Sequence, residues 1–196
     1  MTASPKGGSA PSGLMWKVRR ARLGDGVRLR ALRMEALRSD GAMFLETLAA
    51  AQRVSAAEWE ARLVRCIRPG RQVLVAGEGS DGRWIAMAGA FVDGERDDDG
   101  LGLPDPPVVA GQGWAMVWGT YVLTGYRGSG VADSLCDELR RWAVEEAGVD
   151  WLGLYVRESN ARAVELYRRH GFEVVGRSVH GESGVTALIM VQQCTQ

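Results

Sequence analysis

One short stretch of this 196-residue chain decides its fold: Tyr126-Arg127-Gly128-Ser129-Gly130-Val131-Ala132. It follows a β-rich run, residues 114–122, and leads into a helical pattern that begins at Val131. Two glycines in such a place allow a tight turn that presents successive backbone N–H groups to a ligand, and the helix N-terminus adds about half a positive charge. The stretch is therefore typical of a loop that holds a diphosphate.

The residues of this loop also allow other interpretations. A nucleotide P-loop needs a Lys followed by Ser or Thr after the second glycine, where this chain has Val131 and Ala132. A dinucleotide-binding fingerprint needs a third small residue where this chain has Asp133. The remaining alternative is a tight strand-to-helix turn that binds nothing, and the loop alone does not decide against it.

Hydrophobic periodicity around the loop predicts a mixed α/β domain. The predicted strands are 18–21, 72–77, 84–92, 114–122, 151–156, 172–177 and 184–192, and the predicted helices are 25–38, one from Ser55, 131–147 and 160–170. A helical crossover joins strands 114–122 and 151–156, so these two should pair in parallel, whereas Gly79-Ser80-Asp81-Gly82 predicts an antiparallel hairpin. We expect a mixed, mostly antiparallel sheet of six or seven strands with helices on both faces, splayed at the parallel pair.

The length of the chain predicts one domain. We assign residues 1–14, rich in Ala, Ser, Gly and Pro, to a disordered tail and residues 15–193 to the domain. Residues 93–113, which include an acidic run and three prolines, form a flexible loop insertion in this interpretation. The sequence contains no apolar run of membrane length and no secretory signal, so we expect a cytoplasmic protein.

Charge and metal-binding residues narrow the function further. The 24 Lys and Arg residues balance the 24 Asp and Glu residues, which disfavours nucleic acid and membranes as partners. The three cysteines and two histidines lack the spacing of metal ligands, so we expect no metal site. Whether the chain forms a homodimer stays open.

A second motif downstream gives the loop its family context. Arg127-x-x-Gly130-x-Ala132 is similar to the Arg/Gln-x-x-Gly-x-Gly/Ala signature of the GNAT superfamily of N-acetyltransferases. Residues 160–172 resemble that family's second motif, which has an Asn, a small residue three positions on, a Leu-Tyr pair and a closing Gly-Phe. Both motifs occur in the right order, and the order of elements matches over residues 18–193.

The resemblance implies that acetyl-CoA is the cosubstrate and that its acetyl group passes directly to an amine. The backbone amides implied to hold the coenzyme A diphosphate belong to Gly128, Ser129, Gly130, Val131 and Ala132. Arg127 would lie at the edge of the diphosphate with its backbone and side chain, and free main-chain groups near Val122 would bind the pantetheine arm and polarise the thioester carbonyl. Asn160 matches a residue that bonds the pantetheine arm, although an ordinary helix N-cap explains it as well.

Tyr167 matches the usual general acid of the family, which protonates the thiolate leaving group. Its spacing from apolar residues of the same helix is equally typical of a tyrosine packed in the core. Strand 114–122 contains no acidic residue, so we expect the amine proton to leave through water or through another group such as Tyr121 or Glu35.

The sequence is least informative about the acceptor. The resemblance implies that specificity resides in residues 40–52 and 177–184, and the acidic run that begins at Glu95 would either attract a cationic amine or be a solvated insertion. Two other functions stay open. The first is a coenzyme A-binding regulatory module without catalysis; the second is acetylation of RNA-bound aminoacyl groups, for which four arginines of the first helix offer a local patch.

Overall fold

The computed structural model describes residues 7–9, 15–44, 46–92, 113–180 and 185–194. The strands are β1 Gly7–Ser9, β2 Met15–Arg20, β3 Gln72–Gly79, β4 Trp84–Val92, β5 Trp114–Val122, β6 Trp151–Arg157, β7 Glu173–His180 and β8 Val185–Gln193. The helices are α1 Gly26–Asp40, α2 Leu48–Arg53, α3 Ala56–Arg65, α4 Val131–Trp142 and α5 Ala161–Arg169.

The described strands form one eight-stranded sheet in the order β1-β2-β3-β4-β5-β6-β8-β7. Strands β5 and β6 pair in parallel, and the other neighbours in this order pair antiparallel. The mixed, mostly antiparallel sheet is therefore confirmed, with one strand more than expected. The additional strand is β1, whose residues 7–9 pair with residues 15–17 although the sequence assigned them to a disordered tail. Its Gly-Gly-Ser sequence has no side-chain pattern from which a strand is predicted.

Strand β5 separates from its parallel neighbour before it ends. The register with β6 covers only residues 114–117 opposite residues 151–154. On the other side, Gly89 pairs with Trp118 and Met87 with Tyr121, so β5 has one extra residue between these pairs. Gly119 occupies this β-bulge with φ +64°, a left-handed conformation that glycine adopts without strain. In the part of the chain that the structure describes, the edge of β5 that faces β6 consequently has no strand partner beyond Val117.

Helices cover both faces of the sheet, as predicted. The apolar sides of α1, α2 and α3 form one core with Leu74, Trp84 and Tyr121. Those of α4 and α5 form another with residues of β2 to β6 and β8. The crossover helix predicted as one piece is α-helical to Trp142 and continues as a π-helical turn, Ala143–Ala147. It stops at Gly148, whose φ of +62° is the expected left-handed C-terminal conformation.

Short polar side chains set the starts of the smaller helices. Ser55 Oγ accepts a hydrogen bond from the backbone N–H of Glu58 at 3.1 Å, which confirms the predicted start of α3. In the same way Thr47 caps α2, a helix that the sequence left unassigned. In the part of the chain that the structure describes, no helix has the length and apolarity that crossing a membrane requires. Residues 93–112 of the predicted insertion lie outside the described residues.

Candidate active site

The loop between β5 and α4 has the geometry of an anion cradle. Gly128 and Gly130 have φ of +80° and +83°, so both positions require glycine. Gly130 is the N-cap of α4, and its carbonyl accepts the hydrogen bond from the Ser134 N–H at 3.1 Å. The N–H groups of Val131 and Ala132 therefore precede the first bond inside the helix and point outward at its positive end.

Close packing against the sheet fixes the start of α4. A Cβ at Gly77 of β3 would lie 2.7 Å from a γ-methyl of Val131, so the first residue of the helix sits directly on the strand. Below the loop, the buried ring of Trp16 lies 4.0 Å from where a Cβ at Gly130 would be. The amides of Val131 and Ala132 are thus attached to rigid elements, whereas the Ser129 N–H donates to the Tyr126 carbonyl at 3.3 Å.

Arg127 departs in part from its expected position. Its Nε donates to the Val122 carbonyl at 3.2 Å, and its Nη2 donates to Asp40 Oδ2 at 2.7 Å. The guanidinium therefore links the end of β5 to the end of α1. The sequence analysis instead predicted that it would lie at the edge of a diphosphate. It also occupies the Val122 carbonyl, one of the main-chain groups predicted to be free.

Asp133 places a carboxylate in the first turn of α4, beside the cradle. Arg169 donates to its Oδ1 at 2.9 Å, and His170 Nε2 lies 3.1 Å from the same oxygen. Burial raises the pKa of Asp133, but the hydrogen bonds from Arg169 and His170 outweigh burial, so the pKa lies below its ordinary value. The carboxylate charge is balanced by the end of α5, which limits its repulsion of an anion at the helix start.

Tyr167 reaches the bulge of β5 from α5. Its side chain is 6% exposed, its ring meets Phe172 edge-on at 5.5 Å, and it forms a side-chain hydrogen bond with Thr120, the residue after Gly119. Burial raises the pKa of Tyr167 to about 12, against a smaller lowering by Thr120. The phenol therefore stays protonated at neutral pH, as a general acid must, and it also belongs to the packed core.

Asn160 is the N-cap of α5. Its Oδ1 accepts from the Ala163 N–H at 3.3 Å, which is the capping role that the sequence offered as an alternative. The cap uses the oxygen and leaves the side-chain nitrogen outside this bond. The sequence motif and the cap are therefore compatible.

The two residues considered as general base have different surroundings. Tyr121 Oη lies 2.8 Å from Ser39 Oγ, which in turn donates to Asp40 Oδ2 at 2.9 Å. Glu35 pairs with Arg38 on the surface at 3.5 Å. The sequence missed Ser39 and Asp40, because a contact between residues 82 positions apart leaves no local pattern.

The family follows from a comparison with known proteins. The model of the Acetyltransferase (GNAT) family matches residues 32–172, which contain the cradle, the bulge and Tyr167. This chain belongs to the GNAT family. The GNAT protein is accordingly an acetyltransferase, and acetyl-CoA is its cosubstrate. Burial raises the pKa of Cys136 to about 12, and that of Cys194 to about 11, so neither buried thiol of the GNAT protein is activated as a nucleophile.

Solved structures share the fold of this GNAT protein. The acetyltransferase of the GNAT family from Streptococcus pneumoniae is 18% identical with a TM-score of 0.71, covering 91% of this chain and 98% of that one. The structure of yncA from Salmonella typhimurium with its cofactor acetyl-CoA is 19% identical with a TM-score of 0.63, covering 92% of this chain and 95% of that one. Ribosomal-protein-alanine N-acetyltransferase from Brucella melitensis is 23% identical with a TM-score of 0.64, covering 90% of this chain and 98% of that one. A search of the curated proteins gave no significant match.

Proposed function

We propose that this GNAT acetyltransferase transfers the acetyl group of acetyl-CoA directly to a primary amine of a small molecule, a peptide or a protein. The observation that carries the proposal is the position of Tyr167, a buried and protonated phenol hydrogen-bonded at the bulge of β5 beside the open strand edge. A site that only binds the coenzyme has no need of a proton donor at this point.

The coenzyme would enter through the cradle and continue along β5. Its diphosphate would accept hydrogen bonds from the backbone amides of Gly128, Ser129, Gly130, Val131 and Ala132, and the Ser129 N–H would exchange the Tyr126 carbonyl, its acceptor at 3.3 Å, for the diphosphate. The amide-rich pantetheine arm would lie in the gap between β5 and β6, because the β5 edge there lacks a strand partner beyond Val117. Asn160, at the start of α5, would contribute its side-chain nitrogen to the same arm.

The acetyl group would then lie at the bulge. A backbone N–H near Val122 would polarise the thioester carbonyl and stabilise the oxyanion that forms when the amine attacks, an effect of about 3 kcal/mol in other acyl transfers. Tyr167 would donate its proton to the sulfur as the C–S bond breaks, so coenzyme A leaves as a thiol. No covalent enzyme intermediate is required.

Acetylation of an RNA-bound group has less support. Of the four arginines of α1, Arg28 donates to Asp25, Arg33 to Glu46 and Arg38 to Glu35, so the patch that the sequence suggested is largely neutralised. A primary amine free in solution or on a protein is therefore the preferred acceptor. The proposed location of the reaction is the cytoplasm.

Release of coenzyme A thiol from acetyl-CoA tests the proposal. We would assay spermidine, tyramine and a peptide with an N-terminal alanine, and repeat the measurement with a tertiary-amine analogue of the best acceptor as the control. Amine-dependent thiol release that disappears with the tertiary analogue supports acetyl transfer to nitrogen. Tight binding of acetyl-CoA with no release for any amine would instead favour the regulatory module.

A further inference from the structure

Hydroxyl groups hold the bulged end of β5 from both faces of the sheet. Thr120 bonds Tyr167 of α5, and the next residue, Tyr121, contacts Ser39 of α1 at 2.8 Å. Tyr121 packs with the apolar sides of α1 and α3, whereas Tyr167 packs with those of α4 and α5. Two tyrosines thus flank the position proposed for the thioester, one on each side of the sheet.

The hydrogen bonds beyond Tyr121 form a chain that can run in one direction, towards Asp40. Asp40 Oδ2 accepts from Arg127 Nη2 at 2.7 Å, so the Asp40 side chain acts as a carboxylate acceptor. Ser39 has a single hydroxyl proton, and of its two acceptors the Asp40 carboxylate at 2.9 Å is nearer than the Ala36 carbonyl at 3.5 Å, so the relay takes Asp40 as the acceptor. In this arrangement Tyr121 donates to Ser39 across 2.8 Å, and the lone pairs of the Tyr121 oxygen are left to accept a hydrogen bond from another group.

We propose that Tyr121, Ser39 and Asp40 form a proton relay that removes protons from the acceptor amine, on the opposite face of β5 from Tyr167. The inference rests on the proposed amine acetylation and assigns its missing base. Tyr121 is 6% exposed, whereas the side chain of Asp40 is 32% exposed, so the relay leads from a buried hydroxyl to solvent. Tyr121 is the catalytic residue of this relay, and Ser39 and Asp40 act through it.

Charged groups around the relay are already paired. Arg127 contacts Asp40, and Glu35 and Arg38 pair with one another on α1. The ring of Phe44 meets Tyr121 edge-on at 6.4 Å, and Arg33, stacked on Phe44, is bound to Glu46. Within the described residues, Asp40 is the carboxylate that the hydrogen bonds connect to Tyr121.

The protons balance over one turnover. The substrate ammonium gives a proton to the Tyr121 oxygen while Tyr121 passes its own proton to Ser39 and Ser39 passes one to Asp40, which releases it to water. The neutral amine attacks the carbonyl carbon, the C–N bond forms, and the C–S bond breaks as Tyr167 protonates the sulfur. The nitrogen loses its second proton through the same relay, and Tyr167 regains one from water. The net products are the amide, coenzyme A thiol and one proton.

The dependence of kcat/KM on pH tests the relay, with the best amine of the thiol-release assay as substrate. Tyr121→Phe, Ser39→Ala and Asp40→Asn should each lower kcat/KM about 100-fold near pH 7. Activity should recover as the pH approaches about 10, where a primary alkylamine loses its proton unaided. The double variant Tyr121→Phe/Ser39→Ala should be no worse than either single variant, because the residues act as one unit.

Melting temperature and acetyl-CoA affinity of Tyr121→Phe and Ser39→Ala should match the wild type. Asp150→Asn is the matched carboxylate control, because Asp150 is exposed and directly precedes β6, outside the relay. It should leave the pH profile of kcat/KM unchanged. Variants that keep the wild-type shape of the profile, or a shift caused by Glu35→Gln in place of Asp40→Asn, would overturn the relay while amine acetylation stands. If the wild type acetylates no amine, the proposed function fails and the relay fails with it.

Discussion

The two faces of the sheet organise their polar groups by different means. On the α4 and α5 face, the cradle consists of backbone amides whose direction depends on glycines with positive φ. On the α1 to α3 face, charged side chains organise the surface: Glu46 bridges Arg33 and Arg62, and Asp25 bridges Arg19 and Arg28. Backbone sites need particular residues at fixed spacing, whereas ion pairs only need complementary charges in space.

This difference explains why the loop conformation on one face was predictable from the sequence and the ion pairs on the other face were not. The cradle spans seven consecutive residues, 126–132, so its whole pattern is local. The bridge from Glu46 spans 13 residues to Arg33 and 16 to Arg62, with no constraint on what lies between. Variants on the two faces should therefore fail in different ways.

The largest effect is expected at the cradle, for Gly130→Val. At φ +83° a β-branched residue is strained, and its side chain would occupy the space of the diphosphate. We expect acetyl-CoA affinity, measured by calorimetry, to fall at least about 100-fold, roughly 2.7 kcal/mol. Ser129→Ala keeps the backbone N–H, and Gly125→Ala adds a methyl in open space at an ordinary φ, so both should bind normally. Equal acetyl-CoA affinity of the wild type and Gly130→Val would show that the diphosphate does not bind at this loop.

Removal of the Tyr167 hydroxyl should separate chemistry from packing on the same face. Tyr167→Phe keeps the ring against Phe172 but loses the proton donor, so kcat should fall about 30-fold while acetyl-CoA affinity stays within twofold. Thr120→Val, which removes only the partner of the phenol, should reduce kcat less. A purely structural tyrosine would give the reverse result, a lower melting temperature with unchanged kcat.

On the other face, Glu46→Gln should affect stability more than coenzyme binding. Two arginines lose their shared carboxylate, so we expect the free energy of unfolding in urea to fall by about 2 kcal/mol at pH 7. Burial raises the pKa of Glu46, but the bonds from Arg62 and Arg33 outweigh burial, so the pKa lies below its usual value of about 4.3. Its stabilisation is complete above that value and is lost as the pH falls through the lower, folded-state pKa. The difference in unfolding free energy between the wild type and Glu46→Gln should therefore become smaller at acidic pH.

Glu58→Gln is the control for this measurement. Glu58 is 52% exposed and lies 3.7 Å from Arg65, so its replacement should change stability by less than about 0.5 kcal/mol. If Glu58→Gln lowered the free energy of unfolding as much as Glu46→Gln, burial would not determine how much an ion pair of this face contributes to stability.

The smallest effect is expected for Asn160→Ser, which separates two roles of one residue. Serine is as good an N-cap as asparagine, so the melting temperature should hardly change. The side-chain nitrogen is lost, and we expect acetyl-CoA affinity to fall about fivefold, the effect of one hydrogen bond of about 1 kcal/mol. Unchanged affinity would reduce Asn160 to a helix cap.

Much of the fold was predictable because its signals are periodic and local. The hairpin of β3 and β4, the parallel pairing of β5 and β6 and the stop at Gly148 follow from turn residues and crossover rules. Strand β1 was not predicted, because Gly-Gly-Ser has no alternation of apolar and polar residues from which a strand is recognised. The link from Arg127 to Asp40 was not predicted either, because it depends on how α1 packs beside β5.

The short parallel pairing of β5 and β6 would let bound acetyl-CoA stabilise the sheet itself. Among the described residues, β5 and β6 pair only through residues 114–117 and 151–154, so the far end of β5 has no strand partner on that side. A pantetheine arm bound in that gap would take the place of a strand, and the amides of residues 118–122 should exchange their hydrogens with solvent more slowly once it binds. Coenzyme A keeps the same arm after the acetyl group has gone, so the product would hold the gap closed. Release of coenzyme A, and not acetyl transfer, would then be the rate-limiting step of turnover.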